Sequence, residues 1–233
     1  MRAFLFSVLF SSTLGLAACG SADRSIGQPN IDIQPTQFVL LPCGELRDDQ
    51  PCALAVAGGK RVLFGAPAGI TRHLSPDDLK QLDAVMLFSL RAADIEGLDE
   101  VRNESWRAGR DTPLLTVGPN GVEEFVTALN KAFEQADALR IVEHGIPPGG
   151  YDAAVLVAQE VLSGQTAFDT GDLNVVRTRA GYLMTYEAAI ASLEGCGADQ
   201  RDALASEVTL SIGCSRDSDT LEWPVTAPIF VVE

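Results

Sequence analysis

Short apolar runs of strand length alternate with segments of helical period along most of the chain, and this alternation most constrains its fold. Residues 36–41, 53–57 and 61–64 read as strands, the second and third joined across Gly58-Gly59, a hairpin turn signal. Ser75-Pro76-Asp77-Asp78 is a helix start, with Ser as the N-cap, Pro in the first helical position and two acids in the first turn. Residues 84–89 are a continuous run bounded by polar residues, as in a buried strand, and Ile95, Leu98, Val101 and Trp106 approximate one helical face. Residues 114–117 are the next strand. After Gly118-Pro119-Asn120-Gly121, the residues Val122, Phe125, Val126, Leu129 and Phe133 recur at helical spacing. Further on, the pattern predicts a strand at 139–143, a helix over 152–162 capped by Asp152, a strand at 173–178, a helix at 185–193 stopped by Gly195, a short helix at 199–206, and closing strands at 207–212 and 228–232. With 46% hydrophobic and 21% charged residues in 233, this is the composition of one ordinary globular domain rather than of a disordered chain or coiled coil. The pattern implies an α/β sandwich, helices outside buried sheets.

The first 18 residues stand apart from that pattern. Arg2 and the terminal amine precede an apolar stretch from residue 3 to 16, which at about 14 residues is too short for a membrane span. It ends in Leu16-Ala17-Ala18-Cys19, which resembles the lipobox of bacterial lipoproteins. The resemblance implies cleavage before Cys19 and three acyl chains on it, more than the two that anchor stably; an ordinary signal peptide cut near Ala18 is the alternative. Gly20 in place of an Asp resembles the pattern of lipoproteins exported to the outer membrane. Residues 1–18 are thus expected to be a lipoprotein signal peptide, residues 19–37 an acylated tether, and residues 38–233 the domain. The expected location is the periplasmic face of the bacterial outer membrane.

Charge and cysteine usage narrow the partners. The formal net charge is −15, from 32 acids and 17 bases, with no basic run to neutralise a phosphate backbone, so nucleic acid is not an expected partner. In an oxidising periplasm the four cysteines beyond Cys19 read as two disulfides. Of three connectivities the local one, Cys43–Cys52 with Cys196–Cys214, is favoured, each bond contributing about 3 kcal/mol through loop-closure entropy. A Cys₄ zinc site is the rival, although neither spacing is that of a short knuckle.

Four passages between Val62 and Met184 resemble the metallo-β-lactamase superfamily, in particular its ribonuclease Z and arylsulfatase-like branch. Residues 62–72, with Gly65-Ala66-Pro67-Ala68-Gly69, resemble the early strand and its Asp-x-Gly-x-Gly loop. Residues 87–98 resemble the strand end, metal loop and helix start written Thr-His-x-His-x-Asp-His-Ile-x-Gly-Leu. Residues 113–121 resemble that branch's Gly-Pro turn, and residues 172–176, leading to Gly181-Tyr182, resemble the later strand near which a ligand histidine sits. The resemblance implies a metallo-β-lactamase-like αββα sandwich in a single domain. It also implies where a metal would be held, and there this chain departs from the pattern. The histidine positions of the metal loop are Ser89, Arg91 and Asp94, its Asp position is Ala93, and no histidine lies near Ala180. In the early loop Gly65 and Pro67 replace the Asp and the middle Gly, and only Gly69 matches. The family's zinc acidifies a bound water toward a pKa of about 7 for attack on an ester or phosphodiester. Ser89 and Ala93 cannot supply that field, and Arg91 puts a cation where a cation would bind.

The expectation is therefore a lipid-anchored, periplasm-facing pseudoenzyme of this fold that needs no cofactor and acts as a binding or scaffolding module. Its partners would be the membrane through Cys19, and a periplasmic protein or a small anionic ligand. Arg91 with Gly118, Asn120 and Gly121 is the candidate anion site, the alternative being a turn that merely reverses the chain. The rival function is a hydrolase of esters or phosphodiesters with a rebuilt, metal-independent site drawing on Arg91, Asp94 and His144. His144 reads first as a structural residue, and His73 as a surface residue; these are the only two histidines. Ser89 lies in no nucleophile elbow.

Overall fold

The computed structural model describes residues 33–34, 36–43, 50, 52–195, 210–212 and 230–232. The strands are β1 (Phe38–Pro42), β2 (Ala53–Ala57), β3 (Lys60–Phe64), β4 (Leu82–Met86), β5 (Leu114–Gly118), β6 (Leu156–Glu160), β7 (Thr166–Asp169), β8 (Leu173–Arg177), β9 (Gly181–Tyr186), β10 (Ala189–Glu194), β11 (Leu210–Ile212) and β12 (Phe230–Val232). The helices are α1 (Pro76–Lys80), α2 (Ala92–Ile95), α3 (Leu98–Ala108) and α4 (Val122–His144). One sheet has seven strands in the order β12-β1-β2-β3-β4-β5-β6 and the other five in the order β11-β10-β9-β8-β7.

Strands β1 to β5 of the seven-stranded sheet are largely buried on both faces, as their mostly apolar runs require. Phe38, Leu40, Val62, Phe64, Ala84 and Met86 point at the second sheet and meet Leu173, Val175, Tyr182 and Met184 there. Their neighbours Val39, Leu41, Leu63 and Val85 point the other way, to Leu98 and Val101 of α3 and Val122 and Val126 of α4. All four helices pack on this sheet; a helical layer over the five-stranded sheet is not among the described residues, and the expected helix at 199–206 lies outside them. Each such leucine or phenylalanine contributes roughly 2–3 kcal/mol by leaving water.

Local signals explain several boundaries. Gly58 and Gly59 both have positive φ, at 56° and 72°, the conformation of a two-residue hairpin turn between β2 and β3. The Ser75 hydroxyl accepts from the Asp78 amide at 3.0 Å and caps α1. Arg61 of β3 donates through Nε to Asp78 at 2.9 Å and ties α1 to the sheet. A disulfide joins Cys43 to Cys52 with Cα atoms 5.5 Å apart, closing the end of the β1–β2 pair. The Cys196–Cys214 pairing falls outside the described residues.

Three elements differ from the sequence pattern. Residues 139–143 are not a strand but the last turns of α4, because nothing between Val122 and His144 is Gly or Pro and the helix runs on to Gly145. Leu139 and Val142 are exposed on that overhang, so their apolar character reports no buried strand. Residues 152–162 are not a helix: Asp152 starts only a single 3-10 turn, and Leu156–Glu160 pairs in parallel with β5. Residues 185–193 are likewise not a helix but part of the β9–β10 hairpin, with Tyr186 opposite Ala189. Its turn is Glu187-Ala188 rather than an Asn-Gly or Asp-Gly pair, and Glu187 takes φ 50° without the residue type that announces it.

α3 and α4 are fastened by a buried ion pair. Arg102, 1% exposed, donates to both carboxylate oxygens of Asp137, at 3.1 and 2.5 Å, and lies over the Phe133 ring at 4.9 Å. Arg110, just past α3, is buried too, with Nε on Ser105 Oγ; burial and the nearby Arg102 push its pKa down to about 10, against the attraction of Asp111. Removing one partner of the Arg102–Asp137 pair leaves a charge in the interior. Asp137→Ala is expected to lower stability by about 3–5 kcal/mol, whereas a double change of Arg102 and Asp137 to leucine costs less than that single change. Urea unfolding of the three variants measures both.

Candidate functional site

The parallel strands β3, β4, β5 and β6 end on one edge of the sandwich, where an open α/β sheet presents its loops for binding. Residues 65–69 follow β3, residues 87–97 follow β4, and residues 119–121 follow β5, so three of the passages singled out in the sequence converge there.

The first two loops are stitched together by backbone bonds. Gly65 N–H donates to Met86 O at 2.8 Å, Ala66 N–H to Asp94 O at 3.0 Å, and Gly97 N–H to Ala66 O at 2.8 Å. The approach is so close that a Cβ on Gly97 would lie 2.0 Å from Pro67 O, which excludes any other residue there. The Glu100 carboxylate on α3 accepts from Gly69 N–H at 3.1 and 3.2 Å and from the Thr71 hydroxyl at 3.3 Å. This early loop is built as a structural strap.

Within the second loop, the Ser89 hydroxyl donates to Asp94 Oδ2 and accepts the Arg91 N–H at 3.0 Å. Asp94 is 2% exposed, while Arg91 and Ala92 face solvent. An exposed Arg91 carries little of the desolvation cost that a buried arginine would bring, although its charge still reaches Asp94. Ala93, half-buried, offers no donor or acceptor beyond its backbone.

The sequence pattern missed the residues that complete this centre. Arg177, at the end of β8, reaches from the five-stranded sheet and donates to Leu87 O at 3.1 Å and Phe88 O at 2.6 Å. Its guanidinium lies 4.6 Å from the centre of the Tyr182 ring, and the Tyr182 hydroxyl donates to Leu87 O at 2.8 Å. Burial pushes the Tyr182 phenol up to about 12, against the pull of Arg177, so it stays a protonated donor. The later strand and Gly181-Tyr182 resemble the region where the family's ligand histidine sits, and no histidine lies near Ala180. The signal was the arginine three residues earlier, on the same strand.

The other candidates separate from the centre. Gly121 N–H, at the start of α4, donates to Glu160 Oε2 at 3.1 Å, so a carboxylate of the chain itself sits at that helix N-terminus beside Gly118 and Asn120. His144 ends the same helix, at the far side of a rod about 35 Å long, exposed beside Glu143. The fold does not bring it to Arg91 and Asp94. His73 lies in the 3-10 turn Ile70–His73 between β3 and α1.

These side chains do not fit a zinc ion. Asp94 alone has a metal-ligating side chain among Ser89, Arg91, Ala93 and Asp94; one of its oxygens accepts a hydrogen bond from the Ser89 hydroxyl, and two guanidinium charges reach it. Among the described residues no group of three or more His, Cys, Asp or Glu side chains could hold a metal ion.

Burial, against the Ser89 hydrogen bond and the charges of Arg91 and Arg177, holds the Asp94 carboxyl above the ordinary carboxylate range. A raised pKa in the folded state means that the favourable contribution belongs to the neutral acid. It is fully present below the unfolded pKa and is lost as pH rises through the folded one. Asp94→Asn keeps the shape without the titration, so it should gain stability over the parent at neutral pH and lose that advantage in acid. Thermal melts between about pH 4 and 8 read the crossing.

No family model and no curated protein matches the chain. Solved structures do. The metallo-β-lactamase fold protein YhfI from Bacillus subtilis superposes with a TM-score of 0.50 at 12% identity, over 76% of this chain and 70% of that one. A diphosphatase of the PhnP family gives 0.51 at 12% identity, over 76% and 72%. The short form of human tRNase Z gives 0.49 at 12%, over 76% of each. At such identity the likeness concerns the backbone, and with the two sheets and the loop edge described above it establishes the architecture: the chain has the metallo-β-lactamase fold.

Proposed function

We propose that this protein is a lipid-anchored, periplasm-facing member of the fold that has given up zinc hydrolysis and works as a binding or scaffolding module. The observation that carries the reading is the loop after β4: Ser89, Arg91 and Ala93 occupy positions where the resemblance calls for metal ligands, and Ser89 is spent on Asp94. A zinc hydrolase needs several neutral imidazoles and carboxylates converging on one point, with a coordination position left for water. The lipid anchor rests on the Leu16-Ala17-Ala18-Cys19 passage, and the export it implies is in keeping with the Cys43–Cys52 disulfide.

A second reading has one observation in its favour, a serine hydroxyl hydrogen-bonded to a buried carboxylate, which is half of a nucleophile–base arrangement. On that reading the chain hydrolyses an ester or phosphodiester without zinc, and the diphosphatase among its structural neighbours makes phosphate esters the substrates to try first.

The full chain, purified in detergent and dialysed against chelator, is expected to hold no stoichiometric zinc and to be silent in an ester and phosphodiester screen. Turnover lost in Ser89→Ala would replace the first reading with the second, and a retained equivalent of zinc would overturn both. Cys19→Ser is expected to abolish acylation and leave an uncleaved or soluble form; fractionation and migration unchanged from the parent would remove the anchor.

A further inference from the structure

A residue outside the motif reaches into this centre. Leu87 and Phe88 immediately precede Ser89, and their carbonyls emerge past the end of β4, facing the second sheet. Buried carbonyls of this kind need donors. Arg177, 8% exposed, supplies two N–H groups to them from β8, Tyr182 supplies a third donor from β9, and the ring of Tyr182 lies against the guanidinium. The same positive charge is close enough to act on Asp94, whose carboxylate lies in the following turn. One fixed cation therefore touches the strand end before the metal loop and acts on the carboxylate within it.

We propose that the Arg177 guanidinium stands in the place of the metal ion: a built-in cation, clamped between Tyr182 and the Leu87 and Phe88 carbonyls, that orders the loop from Ser89 to Gly97 and closes the centre to divalent cations. The inference rests on the reading of this chain as one without zinc chemistry, and adds what replaced the ion. A guanidinium suits the position. It is always charged, it is weakly hydrated and so less costly to bury than an ammonium, and its planar fork serves two neighbouring carbonyls while stacking on an aromatic face. Lysine would bring the charge without the fork.

Three variants of the full chain and one small molecule test this. Arg177→Lys keeps a charge, Arg177→Gln keeps a planar donor, and Arg177→Ala leaves a hole. The melting temperature is expected to fall in the order Arg, Lys, Gln, Ala, with Ala about 10 °C below the parent. Millimolar ethylguanidinium should restore part of the loss in Arg177→Ala, ethylammonium should restore less, and neither should act on the parent. Zinc should shift the melting temperature of none of the four proteins except, at most, Arg177→Ala. A melting temperature for Arg177→Ala within 2 °C of the parent on the scale of about 2–4 °C per kcal/mol would overturn the proposal. So would Gln matching or exceeding Lys, or rescue that ignores the guanidinium shape. If Arg177→Ala does not fold, the Lys and Gln melts decide alone. Failure of the proposed function would show as turnover or bound zinc in the parent, a result independent of these orderings.

Discussion

Two carbonyls at the end of β4 set the terms for the whole loop edge. Leu87 O and Phe88 O lie past the last residue of the strand and between the two sheets, where an unpaired carbonyl costs about 1–3 kcal/mol. Their donors come from the opposite sheet, from Arg177 and Tyr182, so the loop is positioned only when the two sheets have closed on each other. The rest follows as a chain of bonds. Ser89 turns back onto Asp94, the Asp94 carbonyl accepts from Ala66, and Gly97 donates to Ala66, which locks the loop after β3 to the loop after β4. No ion is needed at any step of that chain, since each link is made between groups of the protein.

The same arrangement decides what electrostatics the centre has. A bound dication would concentrate its charge at a point with an open coordination position, which is what makes water acidic and nucleophilic. A guanidinium spreads one charge over a plane and offers only donors. Asp94, between Arg91 at the surface and Arg177 beneath, feels attraction from both, yet burial outweighs them and its carboxyl is held above the ordinary range. A centre built this way stores an acid and a cation near one another without exposing either fully.

How far the sequence spoke for itself depended on whether the signal was local. Hairpin β2–β3 and helix α1 were legible because Gly58-Gly59 and Ser75-Pro76 each carry their own turn or cap chemistry. β9–β10 was not, because Glu187 adopts a left-handed conformation that no residue near it advertises, and the apolar spacing there also suits a helix. The α/β alternation was readable from the apolar pattern, and the αββα architecture came through the resemblance carried by the four loop passages. The contents of the centre were only half readable: the missing imidazoles were visible in the motif, but Arg177 lies about 90 residues away in sequence and joins the centre solely through strand pairing of the second sheet. Glu160 at the start of α4 was hidden for the same reason, since β6 reaches it only by folding beside β5.

A backbone can outlast its chemistry because the constraints that fix it are different residues from those that react. Gly97 admits no Cβ against Pro67 O, Gly181 would meet Leu193 O at 1.9 Å, and a Cβ on Gly195 would lie only 2.7 Å from Phe88 Cβ. These close approaches hold the loops and the β9–β10 hairpin where they are, whatever occupies the space between. The side chains of Ser89, Arg91 and Ala93, by contrast, take no part in these close approaches, so what stands at those positions does not decide the path of the backbone. That separation accounts for a chain that superposes on metallo-β-lactamase folds at 12% identity while its centre is assembled from other parts. Arg177 stands at the end of β8, from where its side chain reaches the Leu87 and Phe88 carbonyls while its strand keeps the antiparallel register with β9.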